Sequence, residues 1–333
     1  MSKTAKGTYL NVGIGLLLGF IVFFTLKPVN GLTQIGVNIV SIFVMLIYWW
    51  IAIGTSWTTI IVIPLIAMSG AMSYSEAIAS GLGNSMTLFI MMTGMMNVAL
   101  LKSGCIERFI LWFITRKTIK NRPYLFLLFY MTAIYLVSLV MAGSTICIIM
   151  LPIIKGICDE LGYGAEERFT KALFMLANWV SLLGFVATPI GHSTAMICIS
   201  AMESLFGYKM SFGQWMAVGI PISLVWFALI FVTVRFFYKI DTGKFVNYDL
   251  PGRQKRLKEL GKLPVRGKVS AVIFFTCVLL FFVPDILAGI LPGLKAFVDQ
   301  IGSVSIVILG VVLMCMIQIE GKPLIDFKNV VYD

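Results

Sequence analysis

Charge is scarce in this sequence: of 333 residues only 12% are Asp, Glu, Lys or Arg, while 59% are hydrophobic and mean hydropathy is +0.96. A soluble domain of this size could not cover its surface with so few polar side chains, so the composition excludes one. The apolar runs also lack period-two alternation, which excludes a membrane barrel. What remains is α-helix, whose backbone donors and acceptors are satisfied within each segment. The predicted class is all-α, a polytopic membrane protein.

Other absences narrow the chemistry. The six cysteines form no CxxC pair and mostly fall in apolar runs, so neither a disulfide framework nor a metal site is predicted. No HExxH, paired carboxylates or nucleophile constellation adjoins the apolar runs, and so neither an enzyme nor a cofactor is expected. Acids number 15 against 26 Lys and Arg, a net charge of +11. The basic residues sit in a few loops without interleaved aromatics, which argues against nucleic acid as a partner and for membrane topology as the cause. The start, MSKTAKGTYLNVGIGLLLGFIVFFTL, has a basic flank but no A-x-A-like cleavage site, and reads as an uncleaved first span.

Apolar runs at Tyr9 to Leu26, Ile35 to Ile53, Thr58 to Met72 and Met86 to Leu101 predict four crossings, each near the ~20 residues a span requires. The loop that follows carries Lys102, Arg108, Arg116, Lys117, Lys120 and Arg122, and the amino terminus carries Lys3 and Lys6. By the positive-inside rule both are cytoplasmic, in the cell membrane of a bacterium or its equivalent. Within the loop, IERFILWFI reads either as an amphipathic surface helix or as the tilted end of the preceding span. Asn84 and Ser85 read as an N-cap pair, with a place in the lining of a polar cavity as the alternative, and Trp49 with Trp50 as packing and interface residues.

The segment 124–154 is too long for one span and too short for two, and basic loops flank both of its ends. A re-entrant helical hairpin with its tip at MAGST, Met141 to Thr145, satisfies both facts. A single tilted helix with Ser144 and Thr145 bonded back to the preceding turn is the alternative. Segment 172–206 is a second long apolar element, interrupted by VATPIGHST, which holds the only histidine, His192. Ala217 to Val234 returns to the cytoplasm. Residues 235–268 hold ten Lys or Arg against three acids, with several Gly and Pro, and read as a basic cytoplasmic linker suited to anionic headgroups. Residues 1–234 are thus one membrane repeat, and 269–333 the start of a second.

Unwound backbone survives in hydrocarbon only where protein covers it or it lines a polar cavity. Two breaks in succession are therefore a functional signal: helix N-termini can hold an anion, and C-terminal carbonyls a cation. At the first break Gly143 permits a turn, while Ser144 and Thr145 supply hydroxyls. At the second, Pro189 removes a donor, Gly191 allows positive φ, and Thr188, Ser193 and Thr194 supply oxygens, although a repaired proline kink also fits. His192 is compatible with a proton carrier, an anion donor or a neutral structural residue.

The run from KPVNGLTQIGVNIV to MMNVALLKSG, the element LVMAGSTICIIMLPI, the core ATPIGHST and the span MSFGQWMAVGIPISLV together resemble the divalent anion:sodium symporter family of dicarboxylate, citrate and sulfate carriers. The resemblance covers about Lys27 to Phe237. It implies two inverted repeats around a midplane site, a homodimer, and sodium as coupling ion. A Ser-Asn-Thr triplet at the family's hairpin tip corresponds to Ala142, Gly143, Ser144 and Thr145, without the asparagine. Substrate contacts are thereby expected at Gly143, Ser144, Thr145, His192, Ser193 and Thr194. Cation contacts are expected at Ala142, Gly143, Ser144, Ala187, Thr188, Pro189 and Gly191. His192 replaces a usually small residue, which favours proton coupling or a changed substrate.

The resulting expectation is a cation-coupled secondary carrier of small di- or tricarboxylates or related divalent anions, working by alternating access, with the second repeat cut short or supplied by another chain. A cation:proton antiporter of similar fold, or an inactive or scaffolding carrier fragment, are the alternatives.

Overall fold

The computed structural model describes residues 3–29, 31–190, 193–248, 257–258 and 260–330. They are overwhelmingly helical, the exception being a two-residue antiparallel pair, Gln318–Ile319 with Lys322–Pro323. Five helical segments are long and apolar enough to cross a membrane: Gly7–Thr25, Gln34–Ala52, Tyr74–Lys102, Phe212–Tyr238 and Val265–Ile286. A sixth candidate is the pair Pro292–Ile301 and Ser303–Met316, bent by 79°. The protein is a polytopic all-α membrane protein. Two compact units, Met1–Leu88 and Phe89–Asp333, divide it.

In the first unit α1 (Lys3–Thr25) packs against α2 (Gln34–Ala52). Trp49 is the pivot, buried, with its indole N–H donating to the Val12 carbonyl at 3.2 Å. Gly15 makes the contact possible, since a Cβ there would stand 2.1 Å from Trp49 Nε1. Trp49 is therefore a core residue rather than an interface anchor. The expected span at 58–72 is corrected: it folds as two short helices, α3 (Ser56–Ile60) and α4 (Val62–Met68), followed by α5 (Tyr74–Gly81). Pro64 accounts for the interruption, because it offers no N–H to Ile60 and its ring crowds that carbonyl.

Helix α6 (Ser85–Lys102) is started by Asn84, whose Oδ1 accepts from the Met86 N–H at 2.8 Å. In the second unit, IERFILWFI forms a separate helix, α7 (Cys105–Ile114), set off by Gly104 at φ 67° and burying Ile106, Ile110, Leu111 and Ile114. It is not the tail of the preceding span. Next come α8 (Pro123–Ser138), α9 (Gly143–Leu161), α10 (Arg168–Ala187), α11 (Ser193–Phe206) and α12 (Phe212–Val232). They are followed by α13 (Val265–Ile286), α14 (Pro292–Ile301) and α15 (Ser303–Met316). Phe89, Phe212 and Phe281 stack where α6, α12 and α13 meet. Asp285 receives the Gly213 N–H at 3.1 Å and Lys295 Nζ at 2.6 Å, tying the start of α12 to the end of α13 and to α14.

Segment 235–248 is not a free tether. Its Phe245 and Tyr248 are buried, ring to ring with Phe126 of α8, and Tyr248 donates its hydroxyl to the Ile114 carbonyl at 2.8 Å. Lys244 reaches Glu167 Oε1 at 2.7 Å and the Gly162 carbonyl at 2.9 Å, while the Lys244 N–H donates to Tyr163 Oη. Burial pushes the Tyr163 phenol above its ordinary value. The Gly164 N–H, and after it the Lys244 ammonium, hold the Glu167 carboxyl below its ordinary 4.5. A carboxyl whose folded value is depressed stabilises the fold above its unfolded value and loses that contribution as pH falls through the folded one. Wild-type protein in detergent is therefore expected to lose thermal stability below about pH 4.5 more steeply than Glu167→Gln, measured as melting temperature against pH. Parallel profiles would show that this contact carries no stability.

Candidate functional site

The two breaks predicted from sequence are both present in the backbone, and they lie together. Helix α8 ends at Ser138 and α9 begins at Gly143, and each arm packs along α10. Tyr130 donates its hydroxyl to the Leu173 carbonyl at 2.9 Å, and Ser138 lies against Gly184, so α8 runs parallel to α10. Gly143 lies against Ser181, Cys147 against Ser181 and Asn178, and Cys158 against Thr170, so α9 runs the opposite way. The two arms thus run in opposite directions along α10, and the helix is interrupted at 139–142.

Close approach at the tip depends on missing side chains. A Cβ on Gly184 would fall 1.6 Å from Ser138 Oγ and 2.6 Å from the Ser138 carbonyl carbon. On Gly143 it would lie 3.2 Å from Ser181 Oγ. Gly143 therefore serves packing; its backbone is helical and lies outside the positive-φ glycines, so the turn expected of it is made instead by 139–142. Ala142 is extended (φ −61°, ψ 136°) and provides no side-chain cap for α9. The first-turn N–H groups of a helix have no intrahelical acceptor, and here Ser144 and Thr145 stand among them. Ser144 is exposed and Thr145 half-buried, and neither side chain forms a hydrogen bond among the described residues.

At the second break α10 stops at Ala187 because Thr188 precedes Pro189 and is driven extended, φ −132° and ψ 141°. Thr188, buried, donates its hydroxyl to the Leu139 carbonyl in the hairpin turn. One hydrogen bond thereby joins the two interruptions. Ala187, Pro189 and Ile190 are buried as well. Helix α12 covers this end: Trp215 donates its indole N–H to the Val186 carbonyl at 2.9 Å, and Gly219 lets α12 come within about 3 Å of the Ala187 carbonyl as measured from an added Cβ. Ser223, one turn beyond, meets Tyr135 of α8 at 2.6 Å, both buried.

Gly191 and His192 lie outside the described residues. Ser193 starts α11 and Thr194 is exposed in its first turn. The Thr188 hydroxyl, expected as a ligand group, is used to tie the hairpin turn. Trp215, Gly219, Asn178 and Ser181 were not singled out from sequence. Their signal was weak, a Trp and a Gly-Ile-Pro in an otherwise apolar span and two small polar residues four positions or fewer apart on α10.

The citrate transporter family pattern matches residues 43–321, most of the chain. The chain belongs to the citrate transporter family, and it is a divalent anion:sodium symporter family member as the motifs implied. That is a family of carriers rather than catalysts. Among curated relatives, a protein of Staphylococcus saprophyticus named sodium-dependent dicarboxylate transporter SdcS is 26% identical over 333 residues, 94% of this chain and 62% of the relative. A protein of the same name from Staphylococcus aureus strain USA300 is 27% identical over 305 residues, 86% of this chain and 57% of the relative. The chain spans about three-fifths of the length of these relatives.

Proposed function

We propose that the chain forms part of a cation-coupled carrier of small dicarboxylates, with sodium as the coupling ion and a multi-pass topology that leaves the amino terminus in the cytoplasm. The observation that carries this reading is the Thr188 to Leu139 hydrogen bond, which holds an uncapped helix start and an unwound helix end side by side. The α9 N-terminus, with Ser144 and Thr145, would take one substrate carboxylate through N–H groups and hydroxyls, with no buried Lys or Arg required. The carbonyls released at 187–190 would face the cation. Names of the staphylococcal relatives support the substrate class and the ion. Residues 1–234 would act as one inverted repeat with a re-entrant hairpin, and 269–333 as the beginning of the other. Alternating access between the two faces, in a homodimer, completes the reading.

Uptake of labelled succinate and citrate into proteoliposomes holding the full-length protein tests it. Uptake that rises with an inward sodium gradient is expected. Absence of uptake under sodium and proton gradients alike would overturn the proposal, and uptake driven by protons alone would transfer the coupling role away from sodium.

A further inference from the structure

A cavity of about 460 Å³ lies where the end of α7 meets residues 257–258. Its described lining includes Trp112, Arg116, Lys117, Thr118 and Lys258, three cations with no carboxylate. Arg116 stacks on the Trp112 ring, its guanidinium carbon 3.3 Å from the centroid, and Trp112 is 45% exposed. None of the three cations forms an ion pair among the described residues, and the nearby chain supplies many more positive charges than negative. Unpaired cations held this close repel one another, and an anion between them relieves that repulsion.

The surroundings specify which anion. Helix α7 buries its aliphatic face in the protein and leaves Trp112 outward, and tryptophan concentrates at the headgroup level of membranes. A second arginine–aromatic pair, Arg235 over Tyr124 at 4.6 Å, joins the end of the Phe212–Tyr238 span to the start of α8. Both pairs sit at helix ends with strongly basic sequence beside them, where an anionic leaflet is attracted to Lys and Arg. Guanidinium geometry suits bidentate contact with phosphate oxygens, and Lys117 and Lys258 supply point charges to the same group.

We infer that this cavity is a binding site for the phosphate headgroup of an anionic phospholipid. The site is independent of the transported substrate and of the hairpin. Its consequence is that the basic segment, held to the protein at Tyr248 through the Ile114 carbonyl, is also tied at Lys258 to a lipid bound beside α7.

Native mass spectrometry of full-length protein, released from neutral detergent after equilibration with phosphatidylglycerol, phosphatidylcholine or inorganic phosphate, tests the inference. Retention of phosphatidylglycerol over phosphatidylcholine is expected, with one retained lipid lost in R116Q/K117Q/K258Q and kept in K262Q/K268Q/K322Q, which removes equal charge elsewhere. At about fivefold per cation, the first triple variant should bind that lipid roughly a hundredfold more weakly. Equal retention of the two lipids, or equal loss in both triple variants, overturns the specific site. Inorganic phosphate that binds alone or displaces the lipid at millimolar concentration assigns the cavity to a soluble anion instead and also overturns it.

Discussion

Thr188→Val is expected to destabilise the full-length protein by about 2 kcal/mol and to weaken dicarboxylate binding about tenfold, with Thr188→Ser restoring both. Valine keeps the volume and the β-branching that suit an extended residue before Pro189, so the change isolates the hydroxyl. What is lost is the only described side-chain bond between the unwound end of α10 and the hairpin turn. The Leu139 carbonyl is then left without that donor in a region where Met141, Ala187 and Pro189 are buried, and an unpaired buried acceptor costs more than the net worth of a typical bond. Binding is expected to fall for a separate reason: once untied, the two breaks sample separations at which the α9 N-terminus and the 187–190 carbonyls no longer form the proposed site. Thermal unfolding in detergent and calorimetric titration with succinate measure the two effects. An unchanged melting temperature would show that the hydroxyl does not tie the breaks.

Gly184→Ala is expected to cost about 3 kcal/mol or more, at the upper end of overpacking effects. The added methyl would meet not a flexible chain end but Ser138 Cβ at 2.4 Å and its carbonyl carbon at 2.6 Å, so α8 must move away from α10 as a unit. That displacement breaks the register that seats Tyr130 on the Leu173 carbonyl and Tyr135 on Ser223. The double variant G184A/S138G should recover part of the loss, because it removes two of the three clashing atoms and leaves the backbone contact. Yield of monodisperse protein and its unfolding temperature report both variants. Wild-type stability in Gly184→Ala would mean that α8 and α10 do not approach as closely as described.

The breaks themselves were legible because lipid makes them conspicuous. Gly, Ser, Thr and Pro between long apolar runs leave backbone groups that hydrocarbon cannot satisfy, and the basic loops on both sides of 124–154 suggested a chain that turns back. Contacts between distant segments left no such mark. Thr188 was readable as an oxygen donor in an unwound stretch, but its partner Leu139 is an ordinary apolar residue whose carbonyl every position shares. Gly143 was readable as a turn glycine because glycine permits positive φ, whereas its actual service is to let α9 approach Ser181, a role that depends on a helix elsewhere in the chain. The run 58–72 was apolar enough to suggest a span, and Pro64 was the local signal that it would break. Gly, Pro and charge marked the basic segment as a linker, but nothing in its composition showed that Phe245 and Tyr248 join an aromatic cluster with Phe126 and Phe169.

The central claim, that the two interrupted elements form one carboxylate site, is tested most directly by the succinate dissociation constant of the full-length protein in sodium, wild type against S144A/T145V. Both hydroxyls stand at the uncapped start of α9 without a described partner, Ser144 exposed and Thr145 half-buried, and valine keeps the shape of threonine, so their removal should leave stability within about 1 kcal/mol of wild type. Each hydrogen bond to a charged carboxylate contributes about 1.5 kcal/mol or more, and the double variant is therefore predicted to bind about a hundredfold more weakly. Affinity equal to wild type, in protein that still takes up succinate, would contradict the account.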